Sequence, residues 1–250
     1  MRLKAASQLF RLNVPISGGF YAVCNPDAAK EILKDKTSDK PPVVYKPFDS
    51  VFGGPNIFTR SSHDKLWASV RKSTNHAFPH AQVSRMNRIC TEHADMWIID
   101  RLQSNINESG SFVFDPSIEM THLAFRLIME SAFEYTSTEE DFETYSHHVN
   151  VSMQEFAFKE AMNPFRVLYR RFDPSYYRAL RSSKKIQEFG RKVLNTFRNG
   201  NDPKRSDAKT LIKIISINKN LTENQMVTEM LSFMNAGFDA TGYSLATALV

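Results

Sequence analysis

The chain has 250 residues, enough for one large domain or two small ones, and 42% of them are hydrophobic. Its 12% aromatic content excludes a disordered chain, and nine glycines, about half the usual share, favour helices over a turn-rich sandwich or barrel. A net charge of +5 permits an anionic partner without requiring one, and two cysteines cannot build a disulfide framework and fit an intracellular reducing compartment.

The chain opens with a short β element. The segments FRLNVP (10–15) and FYAVC (20–24) flank a Gly18-Gly19 turn and predict two short strands. Asn25-Pro26-Asp27 then predicts the start of a helix of about three turns over 27–35, because proline suits the first helical position.

Residues 37–63 predict a long irregular stretch, since they hold four prolines and the Gly53-Gly54 pair. After it the chain is almost continuously helical. Asp115-Pro116 marks one helix start, because the aspartate can cap and the proline needs no amide partner. The predicted helices cover 64–77, 81–106, 116–134, 139–161, 176–199, 208–217 and 222–250.

The last predicted helix begins with a capping box formed by Thr222 and Gln225. One apolar face follows at spacings of three or four, formed by Val227, Leu231, Met234, Phe238, Thr241, Leu245 and Leu249. No glycine cap, proline or cationic last turn follows this helix. We therefore expect the sequence to be the front part of a longer protein, and the isolated chain to be poorly soluble or molten because this face needs a cover.

Other functional classes lack support. No stretch reaches the ~18 apolar residues of a membrane helix, and residues 1–19 do not form a signal peptide, so the chain as written is predicted to be soluble. Pro79 interrupts the His76 and His80 pair, while Cys90 and His93 supply two of the four ligands that zinc needs, so no metal site is expected. Phosphate-loop, dinucleotide, esterase and zincin motifs are absent.

The segment NAGFDATGYS (235–244) places small residues and an acid inside the last helix. Ala236, Gly237 and Gly242 offer a backbone that a flat ligand can approach closely, although each glycine costs about 1 kcal/mol relative to alanine. Asp239 can pass protons, and the Thr241 hydroxyl can bond back to a carbonyl four residues earlier. The alternative is a tight helix–helix crossing with an incidental acid.

A second constellation lies in DKLWASVRK (64–72). Trp67 and Arg71 stand four apart and share a helix face. An indole N–H beside a guanidinium is a donor pair suited to a carboxylate. The alternative is a stacked pair on the surface.

In this order, these residues resemble the cytochrome P-450 family of haem-thiolate monooxygenases. NPDAAKEIL is similar to the family's first inner helix, FGGPNIF followed by WASVR and HAFP to the approach to its C helix, and AGFDAT to the signature of its long I helix. The resemblance covers nearly the whole chain. It implies a mainly α fold with a small N-terminal β element (1–25), helices and substrate-pocket loops (26–221) and an I-like helix (222–250), truncated before the haem-ligand loop.

The resemblance implies haem (heme) as cofactor, held at its propionates by Trp67 and Arg71. Ala236 and Gly237 would lie over the distal face of the porphyrin, where dioxygen binds.

The same resemblance assigns Asp239 to proton delivery and matches Thr241 to the second threonine of the family signature. Ala240 takes a cofactor-facing position where the family usually has its oxygen-activating threonine, so this chain lacks that hydroxyl. Monooxygenation would be impaired, uncoupled or redirected unless Thr241 or water substitutes.

The family's E-x-x-R helix and cysteine loop are absent from these 250 residues. Cys24 falls in a predicted strand and Cys90 in a predicted helix, so neither is expected to be the axial ligand, and the chain is expected to be inactive alone. The alternative interpretation is a non-catalytic helical interaction module or a degenerate fragment.

The resemblance further implies O2, an apolar small-molecule substrate and a redox partner, either a reductase or a ferredoxin. The substrate pocket would be lined by 37–63, by 156–177 and by the Phe238 side of the last helix. Basic and aromatic residues alternate over 166–192, which predicts either peripheral contact with a membrane such as the endoplasmic reticulum, or a solvated helical face with aromatics packed inward. Nucleic acid is not an expected partner.

Overall fold

The computed structural model describes residues 9–14, 18–35, 37–106, 110–111, 113–160, 163, 165–200 and 208–249. Pro15, residues 161–162 and Val250, which belong to predicted elements, lie outside the described residues. The sequence predicts a single domain, and the contacts divide the chain into two compact units, Met1–Lys40 and Pro41–Val250.

The first unit contains the predicted β element. Strands β1 (Leu9–Val14) and β2 (Gly18–Val23) pair antiparallel. Helix α1 (Pro26–Lys34) follows, and the Asn25 side chain caps it by accepting hydrogen bonds from the N–H groups of Asp27 (2.8 Å) and Ala28 (3.1 Å). The prediction of two short strands followed by a three-turn helix is confirmed. The predicted turn at Gly18-Gly19 is wrong, because both glycines belong to β2 and pair with Val14 and Asn13.

Helices form the second unit. They are α2 (Pro42–Tyr45), α3 (Pro47–Phe52), α4 (Lys65–Thr74), α5 (His80–Trp97), α6 (Pro116–Phe133), α7 (Glu139–Met153), α8 (Arg166–Tyr169), α9 (Pro174–Asn199), α10 (Leu211–Ser216) and α11 (Glu223–Ala248). Short 3₁₀ or π segments cover 75–77, 98–102, 103–105, 154–159 and 170–172. None of the helices in the described part of the chain combines the length and hydropathy needed to cross a membrane.

The stretch 37–63 is less irregular than the sequence predicts. It contains α2 and α3, each of which begins at a proline. Proline at the first helical position lacks only an N–H that would have no partner there, so these prolines start helices and do not break them. Gly53 ends α3 with a positive φ of 88°, a backbone conformation that favours glycine.

The predicted helix caps are present. The Asp115 side chain accepts from the N–H of Ser117 at 2.8 Å, at the start of α6. At the start of α11, the Thr222 N–H donates to the Gln225 side chain at 2.8 Å, and the Gln225 N–H donates to the Thr222 hydroxyl at 3.3 Å. Both predicted start signals are therefore confirmed.

An aromatic cluster joins four helices of the core. The Phe125 ring of α6 lies edge-on to Phe238 of α11, with 5.6 Å between centroids. Tyr145 of α7 lies 5.1 Å from Phe189 of α9 and 5.9 Å from Phe238. Burial of these rings supplies much of the apolar area that holds α6, α7, α9 and α11 together.

The buried face of α11 departs from the predicted one after Phe238. Val227, Leu231 and Met234 are buried as predicted. Beyond Phe238, however, Gly242 and Ala246 are the buried positions, while Thr241, Leu245 and Leu249 are exposed. Steps of three and of four are both compatible with a 3.6-residue period, and packing against α6 selects the steps of four.

Candidate functional site

The loop between α3 and α4 is held to the long helix α11 through one residue. The backbone N–H of Ile57 donates to Oε2 of Glu229 at 2.7 Å. The backbone carbonyl of Ile57 accepts from the indole N–H of Trp67 at 3.0 Å. Ile57 therefore connects α4, which carries one predicted constellation, to α11, which carries the other.

Glu229 is a fully buried carboxylate, and Arg60 is its nearby cation. The Glu229 side chain is 0% exposed, and Nε of Arg60, whose side chain is 9% exposed, lies 3.7 Å from Oε1. Arg60 also donates through Nη2 to the carbonyl of Pro55 at 2.6 Å. Because a buried carboxylate is costly without compensation, the charge of Arg60 and the N–H of Ile57 together make this position tolerable.

The two predicted donors on α4 have different surroundings. The indole N–H of Trp67, a half-buried residue, is used by the Ile57 carbonyl. Arg71 lies one turn later, exposed, and no described residue bonds to its guanidinium. Arg71 is thus the donor of the pair that is open to a carboxylate.

On α11, the predicted small residues divide between two faces. Ala236 and Ala240 are exposed, stand four apart and share one face of the helix. Thr241 is also exposed, and among the described residues its hydroxyl has no hydrogen bond, so the expected bond to a carbonyl four residues earlier is not formed. The exposed strip at 236 and 240 carries only methyl groups, which allow a flat group to come close to the helix.

The glycines of the motif face α6. A Cβ built on Gly237 would lie 2.6 Å from the Ile128 side chain, and one on Gly242 would lie 2.5 Å from Cα of Thr121. These glycines allow the close packing of α6 against α11, as the helix-crossing alternative proposed. A contact between Gly237 and a cofactor stays a prediction.

Asp239 borders a cavity of about 350 Å³ between α6, α7 and α11. The cavity is also lined by Glu143, His147 and Tyr243. Desolvation raises the pKa of Asp239, and no described residue forms an ion pair or hydrogen bond with it. A carboxyl group whose pKa is raised and which faces an accessible cavity can take up and release a proton more readily near neutral pH than an ordinary aspartate.

Neither cysteine lies in this constellation. Cys24 and Cys90 are both free thiols at exposed positions. Partial desolvation raises the pKa of the Cys90 thiol, which disfavours the thiolate that binds a metal. In the described part of the chain no group of three or more metal-ligating side chains is found.

The basic and aromatic segment 166–192 matches neither predicted interpretation, membrane contact or a solvated face with aromatics packed inward, at every residue. Arg166 is buried, donates through Nε to Glu155 at 2.6 Å and pairs with Asp173 at 2.8 Å. The apolar side chains nearby are exposed instead, with Phe172 at 87% and Leu168 at 75%. The aromatics of this segment are therefore not all packed inward.

Sequence analysis missed Glu229, Arg60 and the backbone of Ile57. A usable signal was present, because Glu229 is an acid inside the apolar run from Met226 to Phe233. An acid on the buried face of an amphipathic helix requires a partner. The sequence could not show that this partner lies 172 positions earlier.

The long helix α11 crosses α6, and the loop at Ile57 ties α4 to α11. A model of the family described as Cytochrome P450 matches residues 14–250, and the chain belongs to that family. No curated protein matches the chain by sequence.

A solved structure described as a cytochrome P450 (CYP102L1) has the same fold, with a TM-score of 0.71 and 19% sequence identity. The match covers 98% of this chain and 55% of the solved one. This chain therefore spans about half the length of that relative. The mainly helical fold with a small two-stranded sheet is confirmed.

The residues of this chain fit their share of a haem site. Arg71 offers an exposed guanidinium without a described partner, suited to a propionate, and Ala236 and Ala240 present an exposed strip of methyl groups suited to a flat ring. The indole of Trp67 supports this arrangement through Ile57. Family membership makes haem the cofactor expected of the class.

Proposed function

We propose that the chain is the N-terminal part of a haem-dependent monooxygenase that inserts one oxygen atom of O2 into an apolar organic substrate. The observation that carries the proposal is the family match over residues 14–250. The geometry at Arg71, Ala236 and Asp239 agrees with it.

In this proposal Arg71 binds a haem propionate through its guanidinium, and Trp67 acts as a positioning residue by fixing the Ile57 carbonyl. Ala236 and Ala240 lie against the ring, where larger side chains would prevent its approach. Haem, when bound, supplies the iron chemistry that activates O2. Cys24 and Cys90 do not serve as ligands, so the thiolate comes from outside these 250 residues and the chain alone is inactive.

Asp239 delivers protons in this proposal. Its carboxyl group takes a proton from water in the 350 Å³ cavity that it shares with His147 and Tyr243, and releases it toward the Ala240 side of the helix. Thr241 supplies the hydroxyl that follows next in sequence, because position 240 is an alanine. This arrangement makes proton delivery less direct than with a threonine at 240.

The substrate pocket is proposed to be lined by three segments of the chain. The stretch 37–63, which includes α2 and α3, the region 156–177, and the Phe238 side of α11 would supply its walls. The abundance of aromatic and aliphatic side chains in these segments suits an apolar small molecule.

Electrons are proposed to come from a reductase or a ferredoxin. A cleft of about 910 Å³ beside α4 is lined by Lys72, His76, Lys209 and Lys219. Such a concentration of cations steers an acidic protein to this surface.

A second proposed contact is with a membrane surface. Phe165, Leu168 and Phe172 are exposed together with Arg171, a combination that suits the boundary between acyl chains and headgroups. This contact would be peripheral.

The test is a haemin titration of the chain, coexpressed with a polypeptide that carries the family's E-x-x-R helix and cysteine loop. We expect saturable binding and, after reduction with dithionite and addition of carbon monoxide, the spectrum of thiolate-ligated haem. Arg71→Gln should weaken haemin binding about tenfold, the loss expected for one charge-assisted hydrogen bond. Lys72→Gln, the adjacent exposed cation, is the matched control and should bind as the unaltered chain does.

Weak, non-saturating haemin binding in the presence of the second polypeptide would overturn the proposal. It would leave the chain as a helical interaction module without catalytic function. Equal effects of Arg71→Gln and Lys72→Gln would overturn the role of Arg71 alone.

A further inference from the structure

A groove of about 630 Å³ runs between α7, with its continuation through 154–159, and α9. We name it the α7–α9 groove. It adjoins the cavity that Asp239 borders, because His147 lines both. Its cationic and titratable lining consists of His147, His148, Lys159, Arg178, Arg181 and Lys185.

Small polar residues close the floor of the groove. Ser152 donates to the carbonyl of Ala179 at 3.3 Å, which brings α7 and α9 into close contact. Ser182, which is buried, lies 3.1 Å through its hydroxyl from Nδ1 of His148. The longer side chains on either side therefore stand along the rim, directed away from the helix contact.

The rim carries positive charge that other residues do not neutralise. Arg178 and Arg181 are exposed, stand three apart on one face of α9, and form no hydrogen bond, ion pair or ring contact with any described residue. Lys185 is on the same face and, among the described residues, forms an ion pair with the exposed Glu188. Like charges three residues apart on a helix repel each other, and an anion bound to both guanidiniums would offset that repulsion.

The acid that borders the groove does not cancel this charge. Glu155 is 2% exposed, and its carboxylate already accepts from Arg166 at 2.6 Å, from Ser175 at 2.9 Å and from Lys159 at 3.2 Å. Arg166 is itself buried, so the pair is neutral within the protein. Among the described residues, Arg178 and Arg181 therefore have no acidic partner at the groove.

We infer that the α7–α9 groove binds a phosphate-bearing ligand, presented either as a lipid headgroup or as a soluble phosphate compound. Two arginines on one helix face match the oxygen geometry of a phosphate, which accepts paired hydrogen bonds from each guanidinium. A volume of about 630 Å³ lies within the ordinary range of ligand pockets. The imidazoles of His147 and His148 supply further donors at the α7 rim.

Two binding measurements on the 250-residue chain distinguish the sources. Inorganic pyrophosphate is titrated calorimetrically at an ionic strength held constant with sodium chloride. In parallel, the chain is sedimented with phosphatidylcholine vesicles that contain or lack phosphatidylinositol 4-phosphate. The test variant is Arg178→Gln/Arg181→Gln. The control variant, Lys30→Gln/Arg88→Gln, removes the same charge from exposed positions outside the groove.

We expect saturable binding to at least one probe, weakened tenfold or more in the groove variant and unchanged in the control. Binding to pyrophosphate supports a soluble ligand, and binding only to the phosphoinositide vesicles supports a headgroup. Binding to neither probe, or equal weakening in both variants, overturns the inference. If the groove variant loses helix content, the unaltered chain is titrated with the probe and followed by NMR at the His148 ring. A shift of these resonances that saturates supports the site, and the absence of a shift overturns the inference.

Discussion

Glu229 on α11 accepts a hydrogen bond from the backbone N–H of Ile57, 172 positions earlier, with 2.7 Å between Oε2 and the nitrogen. The carbonyl of the same residue accepts from Trp67 on α4. The loop that contains Ile57 is therefore hydrogen-bonded to both helices, and it fixes the position of one relative to the other. This relationship sets where Arg71 stands with respect to the motif on α11. Ile57 and Trp67 belong to segments that carry the family resemblance, whereas Glu229 does not.

Loss of Glu229 should destabilise the chain strongly. Glu229→Ala leaves the Ile57 N–H without its acceptor and the buried Arg60 without its counter-charge, so we expect the free energy of unfolding to fall by about 3–5 kcal/mol. Protease susceptibility across a urea series measures the change. The double variant Arg60→Met/Glu229→Met should recover much of the loss, because an apolar pair requires no compensation.

Glu223→Ala is the control for that measurement. Glu223 begins the same helix, is 58% exposed and pairs with Arg198 at 3.3 Å. A surface pair of this kind is worth about 0–1 kcal/mol. Equal losses at Glu223 and Glu229 would contradict the role given to the buried carboxylate.

Gly242→Ala should destabilise the crossing of α6 and α11. A methyl group at 242 would lie 2.5 Å from the Thr121 backbone, which cannot move without shifting α6, so we expect a loss of about 1–3 kcal/mol in spite of the gain in helix propensity. Gly237→Ala should cost less, because its nearest atoms belong to the Ile128 side chain. Thermal unfolding of both variants gives the comparison, and a larger loss at 237 would be the opposite of what the packing requires.

Asp239 should make stability depend on pH in a direction opposite to most carboxylates. Desolvation raises the pKa of Asp239 in the folded chain above the unfolded value of about 3.9. The folded chain is favoured while the group is protonated in both states, and it loses stability as pH rises through the folded pKa. Asp239→Asn should therefore gain stability relative to the unaltered chain as pH rises above about 4, and lose that advantage below it.

Asp173 supplies the contrast for the same pH series. The hydrogen bond from Arg166, followed by those from Ser175, holds the pKa of Asp173 well below its ordinary value. Its contribution is present above the unfolded pKa and is lost as pH falls through the folded one. Asp173→Asn should thus destabilise the chain at neutral pH, and urea midpoints at each pH should show effects of opposite sign at the two positions.

Ala240→Thr should improve the coupling of electron consumption to product formation in the haem-loaded enzyme assembled with the second polypeptide. The substitution places a hydroxyl one residue after Asp239, so that a proton has a shorter route, and we expect a severalfold rise in product formed per electron pair consumed. Thr241→Ala should lower the same ratio. Ala248→Thr, the same substitution at another exposed position of α11, is the control and should leave coupling unchanged.

The limits of sequence analysis are clearest on α11. Its start at Thr222 and its buried positions as far as Phe238 were predictable from capping and periodicity. The shift of the buried face to Gly242 and Ala246 was not predictable, because a period of 3.6 residues permits steps of three and of four alike. In the stretch 37–63, proline was interpreted as a breaker, whereas Pro42 and Pro47 begin helices.

The sequence by itself determined the family, the order of the helices and their caps, since these depend on residues within a few positions of one another, as at Asn25, Asp115 and Thr222. The tertiary structure alone decided which acid is held by the Ile57 backbone, which face the glycines serve, and that histidines of α7 and arginines of α9 line one groove. The physical reason is that hydrogen bonds, excluded volume and charge repulsion act between neighbours in space. Helix packing brings residues such as Ile57 and Glu229 together, and no local pattern records that they will meet.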